Sequence, residues 1–228
     1  MADLLNWFQG AGAALWQIVD LTFRVTGAAL AISAALGIPA GALMAFSRFP
    51  GRRLAVAVIY TGMGFPPVVV GLAVYILLSR SGPLGGWGWL FTPAAMITAQ
   101  VIIALPLVVG LTMTALEGVD PQLRQQVRAL GATRRQESLA LLAEAFPGVI
   151  AAVVAGFGGI ISEVGAAMLV GGNIAGQTRV LSTAIVLETR RGEFGFAMAL
   201  GGVLLAMAFL VNWALLRLQQ RPPWWPSR

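Results

Sequence analysis

Glu163 sits within an otherwise apolar run, Ile160-Ile161-Ser162-Glu163-Val164-Gly165. A carboxylate at membrane depth is costly unless it is paired, protonated or turned to a polar interior. It therefore marks a polar contact, either tying helices together and bonding backbone N–H groups or meeting a substrate. Just beyond it, Gly171-Gly172-Asn173 has the composition of a sharp turn. Thr178 is expected to open a helical stretch reaching Leu187, whose exposed N–H groups, with Arg179, would favour an anion at that end. The same residues read equally well as a plain helix cap with a snorkelling arginine. Glu188, Arg190, Arg191 and Glu193 make a mixed-charge rim, suited to docking a partner protein or to simple solvation. The 228 residues include no Cys and no His, and all fifteen basic residues are Arg. Thiol catalysis, Ser-His-Asp chemistry, the usual zinc sites and His proton relays are thereby excluded. No enzyme activity, metal or cofactor is expected. Without Lys there is no phosphate-cradling GxxxxGK[ST] loop, so this chain is not a P-loop ATPase, and any ATP-derived energy would have to come from a partner.

The main polar stretch is 117–146, EGVDPQLRQQVRALGATRRQESLALLAEAF, charged and helix-patterned, set between two membrane-length apolar segments. Asp120 can cap a short helix and Pro121 fits its first position. Leu123, Val127 and Leu130 recur at i, i+4, i+7 and define one apolar face, with Arg124 and Arg128 off it. Gly131 ends that helix by supplying left-handed geometry. Thr133-x-x-Gln136 has the form of a capping box for a second helix, and Leu139, Leu142 and Phe146 give that helix an apolar edge before Pro147. The stretch reads as a helix–Gly–helix hairpin at a membrane surface. An ordinary amphipathic interfacial connector would carry the same pattern.

The chain is 58% hydrophobic, with a mean hydropathy of +0.82 and only 11% charged residues, far below the roughly 25% of a soluble domain. The fold class expected is an all-α integral membrane protein. Five apolar runs approach or exceed the ~20 residues of a crossing: 25–46, 54–79 interrupted at Pro66-Pro67, 93–116 containing Pro106, 148–170 and 194–216. A short re-approach, 174–192, precedes the last. Residues 1–22, with Trp7, Phe8 and Trp16, suit an interfacial segment rather than a cleavable signal, and Asp20 and Arg24 can pair one turn apart. Residues 23–217 then form one transmembrane domain and 218–228 a tail. Ten Arg fall on the side of the hairpin against five on the other, which places the hairpin and C-terminus in the cytoplasm and the N-terminus outside. The net charge of +6 is read as topology-setting charge, not as a nucleic-acid footprint. Glycines such as Gly37, Gly41, Gly156 and Gly159 are read mainly as helix-packing residues.

The tract 156–194, GFGGIISEVGAAMLVGGNIAGQTRVLSTAIVLETRRGEF, resembles the permease subunits of tungstate-type ABC importers, and the five-span layout resembles type I ABC permeases over nearly the whole chain. In that superfamily the loop before the penultimate span carries a coupling motif with a Gly between two short helices. Arg128-Ala129-Leu130-Gly131-Ala132 matches that element here, while Gln125-Gln126-Val127 stands where Glu-Ala-Ala is usual and Ala143-Glu144 where Leu-Pro is frequent. The resemblance implies a homodimeric pathway for a tetrahedral oxyanion, tungstate before molybdate or sulfate, in the plasma (inner) membrane. It implies two separate ATPase subunits engaging Arg128, Ala129, Leu130, Gly131 and Ala132, and an extracytoplasmic binding protein meeting Arg190 and Arg191. Asn173, Thr178 and Arg179 would line the outer mouth. Membrane lipid is the remaining partner, able to engage the hairpin arginines. A channel working without an ATPase is the contrasting reading.

Overall fold

The computed structural model describes residues 2–219, with side chains from residue 12 onward except that of Ala13. Trp7, Phe8, Arg221, Arg228 and most of the tail at 218–228 lie outside the described side chains. Ten α-helices account for about four-fifths of the described residues, with no strand among them. They are α1 (Ala2–Phe46), α2 (Arg52–Met63), α3 (Pro67–Leu78), α4 (Pro93–Glu117), α5 (Pro121–Ala129), α6 (Arg134–Glu144), α7 (Phe146–Ile161), α8 (Gly165–Gly171), α9 (Leu181–Arg190) and α10 (Phe194–Gln219).

Three helical stretches are long and apolar enough to cross a membrane: Ala14–Phe46, Pro93–Glu117 and Phe194–Gln219. Two further candidates are bent pairs, α2 with α3 at 102° and α6 with α7 at 65°. The first bend falls where Pro66-Pro67 is expected to break the helix. Pro66 is extended (ψ 119°) and Pro67 occupies the first turn of α3, where a missing N–H costs nothing. Pro39 and Pro106, by contrast, stay inside continuous helices. Helix α1 also runs unbroken across residue 22, so the amphipathic start and the first crossing share one helix.

The fourth apolar run differs from the uninterrupted span expected over 148–170. Helix α7 stops at Ile161, three residues are non-helical, and α8 restarts at Gly165. The bundle core lies around α4, whose Ala95, Met96, Ala99, Ile103 and Ala104 meet Val25 and Ala29 of α1, Val70 and Val74 of α3, and Ala166 and Val170 of α8. Small residues set the spacing. A Cβ on Gly41 would stand 2.6 Å from the Val109 carbonyl oxygen, one on Gly37 2.8 Å from Val108 Cγ1, and one on Gly71 2.6 Å from Ala166 Cα. The α1–α4 and α3–α8 contacts are therefore backbone-close, as packing without a hydrophobic driving force requires. Helix α9 packs through Leu181 and Ala184 on Leu200 of α10, beside Leu15 and Val19 of α1.

Candidate functional site

The hairpin forms from local rules that its sequence obeys. The Asp120 carboxylate accepts the Gln122 N–H at 2.8 Å, capping α5. At the other end Gly131 has φ 80°; its N–H donates to the Arg128 carbonyl and the Ala132 N–H to the Val127 carbonyl. Those two bonds close a Schellman turn that requires left-handed backbone, which glycine adopts at least cost. The Gln136 N–H donates to Thr133 Oγ1 at 3.4 Å, and the Thr133 N–H to Gln136 Oε1 at 2.8 Å, completing the capping box of α6.

Packing then fixes the hairpin to the spans. Leu123 of α5 joins Leu141 and Ala145 against Leu116 of α4 and Phe46 of α1. Only Ala145 separates α6 from α7, across the 65° bend between them. Arg52, at the start of α2, donates to the Met44 carbonyl at 3.0 Å and pairs with Glu117 at the end of α4. Leu130 departs from the apolar face expected for it with Leu123 and Val127. It is 87% exposed at the hairpin tip, because the Schellman turn swings it away from the bundle.

The hairpin arginines are also placed differently from a free basic patch. Glu137, only 5% exposed, accepts Arg124 Nε at 2.5 Å through Oε1 and Arg128 Nε at 2.8 Å through Oε2. The hydrogen bonds from Arg128 and then Arg124 hold its carboxyl well below the usual range, at about 2, and the same contact raises the Arg128 pKa. Glu137 thus bridges from α6 to two guanidiniums one turn apart on α5. The i, i+4 spacing of Arg124 and Arg128, with an acid in the first turn of the next helix, was a usable signal for this triad.

The second polar centre is the break after α7. Glu163 lies in it, and its Oε1 accepts the Ala166 N–H at 2.8 Å, serving the first turn of α8. The Glu163 carbonyl accepts Ser182 Oγ at 2.9 Å from α9, and buried Gln100 of α4 donates to the Ile160 carbonyl at 3.5 Å. Sequence reasoning misses Gln100 and Ser182, since isolated polar residues in apolar helices give no periodic signal.

Beyond the break, Gly172 and Asn173 both have positive φ, 71° and 52°, forming the sharp turn. Helix α9 begins at Leu181 instead of Thr178. Thr178 is fully buried, its hydroxyl donating to the Gly171 carbonyl at 2.5 Å and accepting the Ile174 N–H at 2.9 Å, so it staples the turn. The α9 end does not offer the free N–H groups expected there: the Leu181 N–H donates to Thr22 Oγ1 and the Val180 N–H to Thr183 Oγ1. Arg179 lines a depression of about 230 Å³ with Asp20 and Arg24, which pair at 2.9 Å. Its guanidinium donates to the Asn173 carbonyl at 3.4 Å. On the rim, Arg191 pairs with Glu188 at 3.0 Å, and Arg190 is exposed.

Comparison with known proteins places these features in context. The family described as "Binding-protein-dependent transport system inner membrane component" matches residues 37–222. A probable anion ABC transporter permease protein of Haloferax volcanii is 44% identical over 92% of this chain and 92% of its own length. A tungstate uptake system permease protein of Peptoclostridium acidaminophilum is 40% identical over 90% of each chain. A molybdenum transport system permease protein of Escherichia coli K12 is more distant, 32% identical over 86% of this chain and 90% of the relative. Among solved structures, a chain of the MetNI methionine ABC transporter superposes with a TM-score of 0.67 at 21% identity, covering 96% of this chain and 98% of the other. That likeness is one of fold.

Proposed function

We propose a function that proceeds from one premise: the chain belongs to the family of binding-protein-dependent transport system inner membrane components, as a permease subunit of an ABC importer. Its cargo is a tetrahedral oxyanion, tungstate in particular. The 40% identity to a tungstate permease over 90% of both chains supports tungstate, against 32% for the molybdenum permease. Two copies form the pathway, each taking one separate ATPase subunit on its hairpin. An extracytoplasmic binding protein delivers the anion at the α9–α10 rim near Arg190 and Arg191. The hairpin and C-terminus face the cytoplasm.

One observation carries the mechanism, namely that the Glu137 ion pairs bridge the two hairpin helices and a single residue joins α6 to α7. The exposed tip, Leu130-Gly131, with Arg128, Ala129 and Ala132 beside it, is the surface for the ATPase. Leu130 enters a recess on that subunit, and nucleotide-driven motion travels as a rigid-body shift through α6 into α7. Helix α7 ends at the Glu163 break, where Glu163, Gln100 and Ser182 connect it to α8, α4 and α9. Glu163 has a positioning role there, its carboxylate held on backbone instead of facing an anion. Asn173, Thr178 and Arg179 shape the outer mouth, with Thr178 holding the turn and Arg179 supplying charge.

The test is reconstitution of the permease with its ATPase and binding protein in vesicles, measuring accumulation of tungstate, molybdate and sulfate. ATP-dependent uptake favouring tungstate is expected. Preference for molybdate or sulfate overturns the cargo while keeping the importer; equilibration by the permease alone without ATP overturns the importer mechanism.

A further inference from the structure

We propose that a polar pocket of about 620 Å³ between the end of α1 and the hairpin is a binding site for a tetrahedral oxyanion, distinct from the membrane pathway. Arg48, Arg124, Arg128 and Arg134 line it, with Ser47 and Ser138. Glu137 is its single acid, so the lining carries an excess of three positive charges (four Arg less one Glu).

Glu137 leaves most of this donor capacity unused. Its two oxygens take only the Nε–H groups of Arg124 and Arg128, and the terminal amino groups of both guanidiniums meet no other carboxylate among the described residues. Arg48 and Arg134 make no side-chain hydrogen bond or ion pair among the described residues, and the hydroxyls of Ser47 and Ser138 accept and donate none. The Arg124 guanidinium sits 6.0 Å over the Phe46 ring, which helps to fix its plane. Glu137 offsets one of the four positive charges; the remaining excess is repulsive unless a further anion joins the guanidiniums, and the low-dielectric wall of Phe46 focuses their field. A doubly charged tetrahedral oxyanion has acceptors in four directions and matches several guanidinium forks together. The ligand class is therefore the tetrahedral oxyanion, reaching the pocket either free in the aqueous phase or as the phosphate of an anionic lipid. Bound there, it joins Arg48 beyond α1 to Arg134 on α6 and clamps the hairpin against the spans.

The pocket rests on its own geometry; only the naming of free tungstate as an occupant rests on the proposed cargo. The full-length chain in nanodiscs of phosphatidylcholine alone is dialysed against tungstate or inorganic phosphate, and retained anion is quantified by elemental analysis. A parallel sample in discs containing phosphatidylglycerol is examined by native mass spectrometry for retained anionic lipid. The variants are Arg48→Gln and Arg134→Gln, chosen because neither side chain holds the hairpin together, with Arg80→Gln, exposed in the loop after α3, as the control. Retention of one anion per chain, weakened by about tenfold in Arg48→Gln and in Arg134→Gln and unchanged in the control, is expected. If anionic lipid alone is retained and the same variants lose it, the site stands with lipid phosphate as its source. Loss of phosphate binding in these variants supports the pocket even where the wild-type importer moves no tungstate. Equal retention of anion and lipid by wild type and variants overturns the proposal, as does an effect of the variants seen only on ATPase binding.

Discussion

At the scale of single residues, Gly131 and Glu137 carry different burdens. A Cβ added to Gly131 would meet open space, so crowding does not constrain the position; its φ of 80° does. A side chain there incurs the left-handed penalty, about 1 kcal/mol or more for Ala and greater for a β-branched residue. Gly131→Val is expected to loosen the turn and separate ATP hydrolysis from uptake in the reconstituted importer, while membrane insertion is unaffected. Intact coupling would remove the hairpin from the mechanism. Glu137 gives a pH signature. Its folded carboxyl lies at about 2 against an ordinary 4.5, so the folded hairpin binds fewer protons than the unfolded one between those values. Its contribution is fully present above the ordinary value, and falls away as pH drops from there through about 2. Spin labels on α5 and α6 should report an unchanged distance from pH 7 to 5 and a broadened one towards pH 2. Glu137→Gln should broaden it already at pH 7, because two guanidiniums then face one neutral amide.

At the scale of elements, helix pairs divide between those held by backbone proximity and those held by polar links. The α1–α4 contact belongs to the first kind. Gly41→Val would place a Cβ 2.6 Å from the Val109 carbonyl, an atom that cannot swing aside as a side chain could. The helices must part, and a loss of about 1–3 kcal/mol is expected from overpacking. Unfolding of the purified chain in mixed micelles reads this, and Gly158→Ala, whose Cβ meets nothing within 4 Å, is the comparison expected to cost nothing. The α7–α8 junction belongs to the second kind. Glu163 there replaces a helical turn with a carboxylate cap, so that the last carbonyls of α7 can be met from α4 and the break can be reached from α9.

At the scale of the whole molecule, orientation across the membrane is the property most directly testable, and the absence of Cys makes the test clean. Leu130→Cys at the hairpin tip should react with a membrane-impermeant maleimide only in inverted vesicles, and Thr189→Cys at the far rim only in right-side-out ones. The reverse pattern would invert the assignment from the arginine distribution. The sequence by itself determined the all-α membrane class, the caps and glycine turn of the hairpin, and the exclusion of thiol, histidine and P-loop chemistry. These follow from composition and from interactions within a few residues, which hold wherever the chain is placed. Tertiary packing alone decided that α7 breaks around Glu163 and that α9 starts at Leu181, with Thr178 left outside it as a buried staple. The break and the start of α9 depend on groups distant in the chain: Gln100 meets the Ile160 carbonyl, and Thr22 meets the Leu181 N–H. A buried polar group is satisfied by whatever neighbour the packing brings to it, and local sequence pattern does not encode that neighbour.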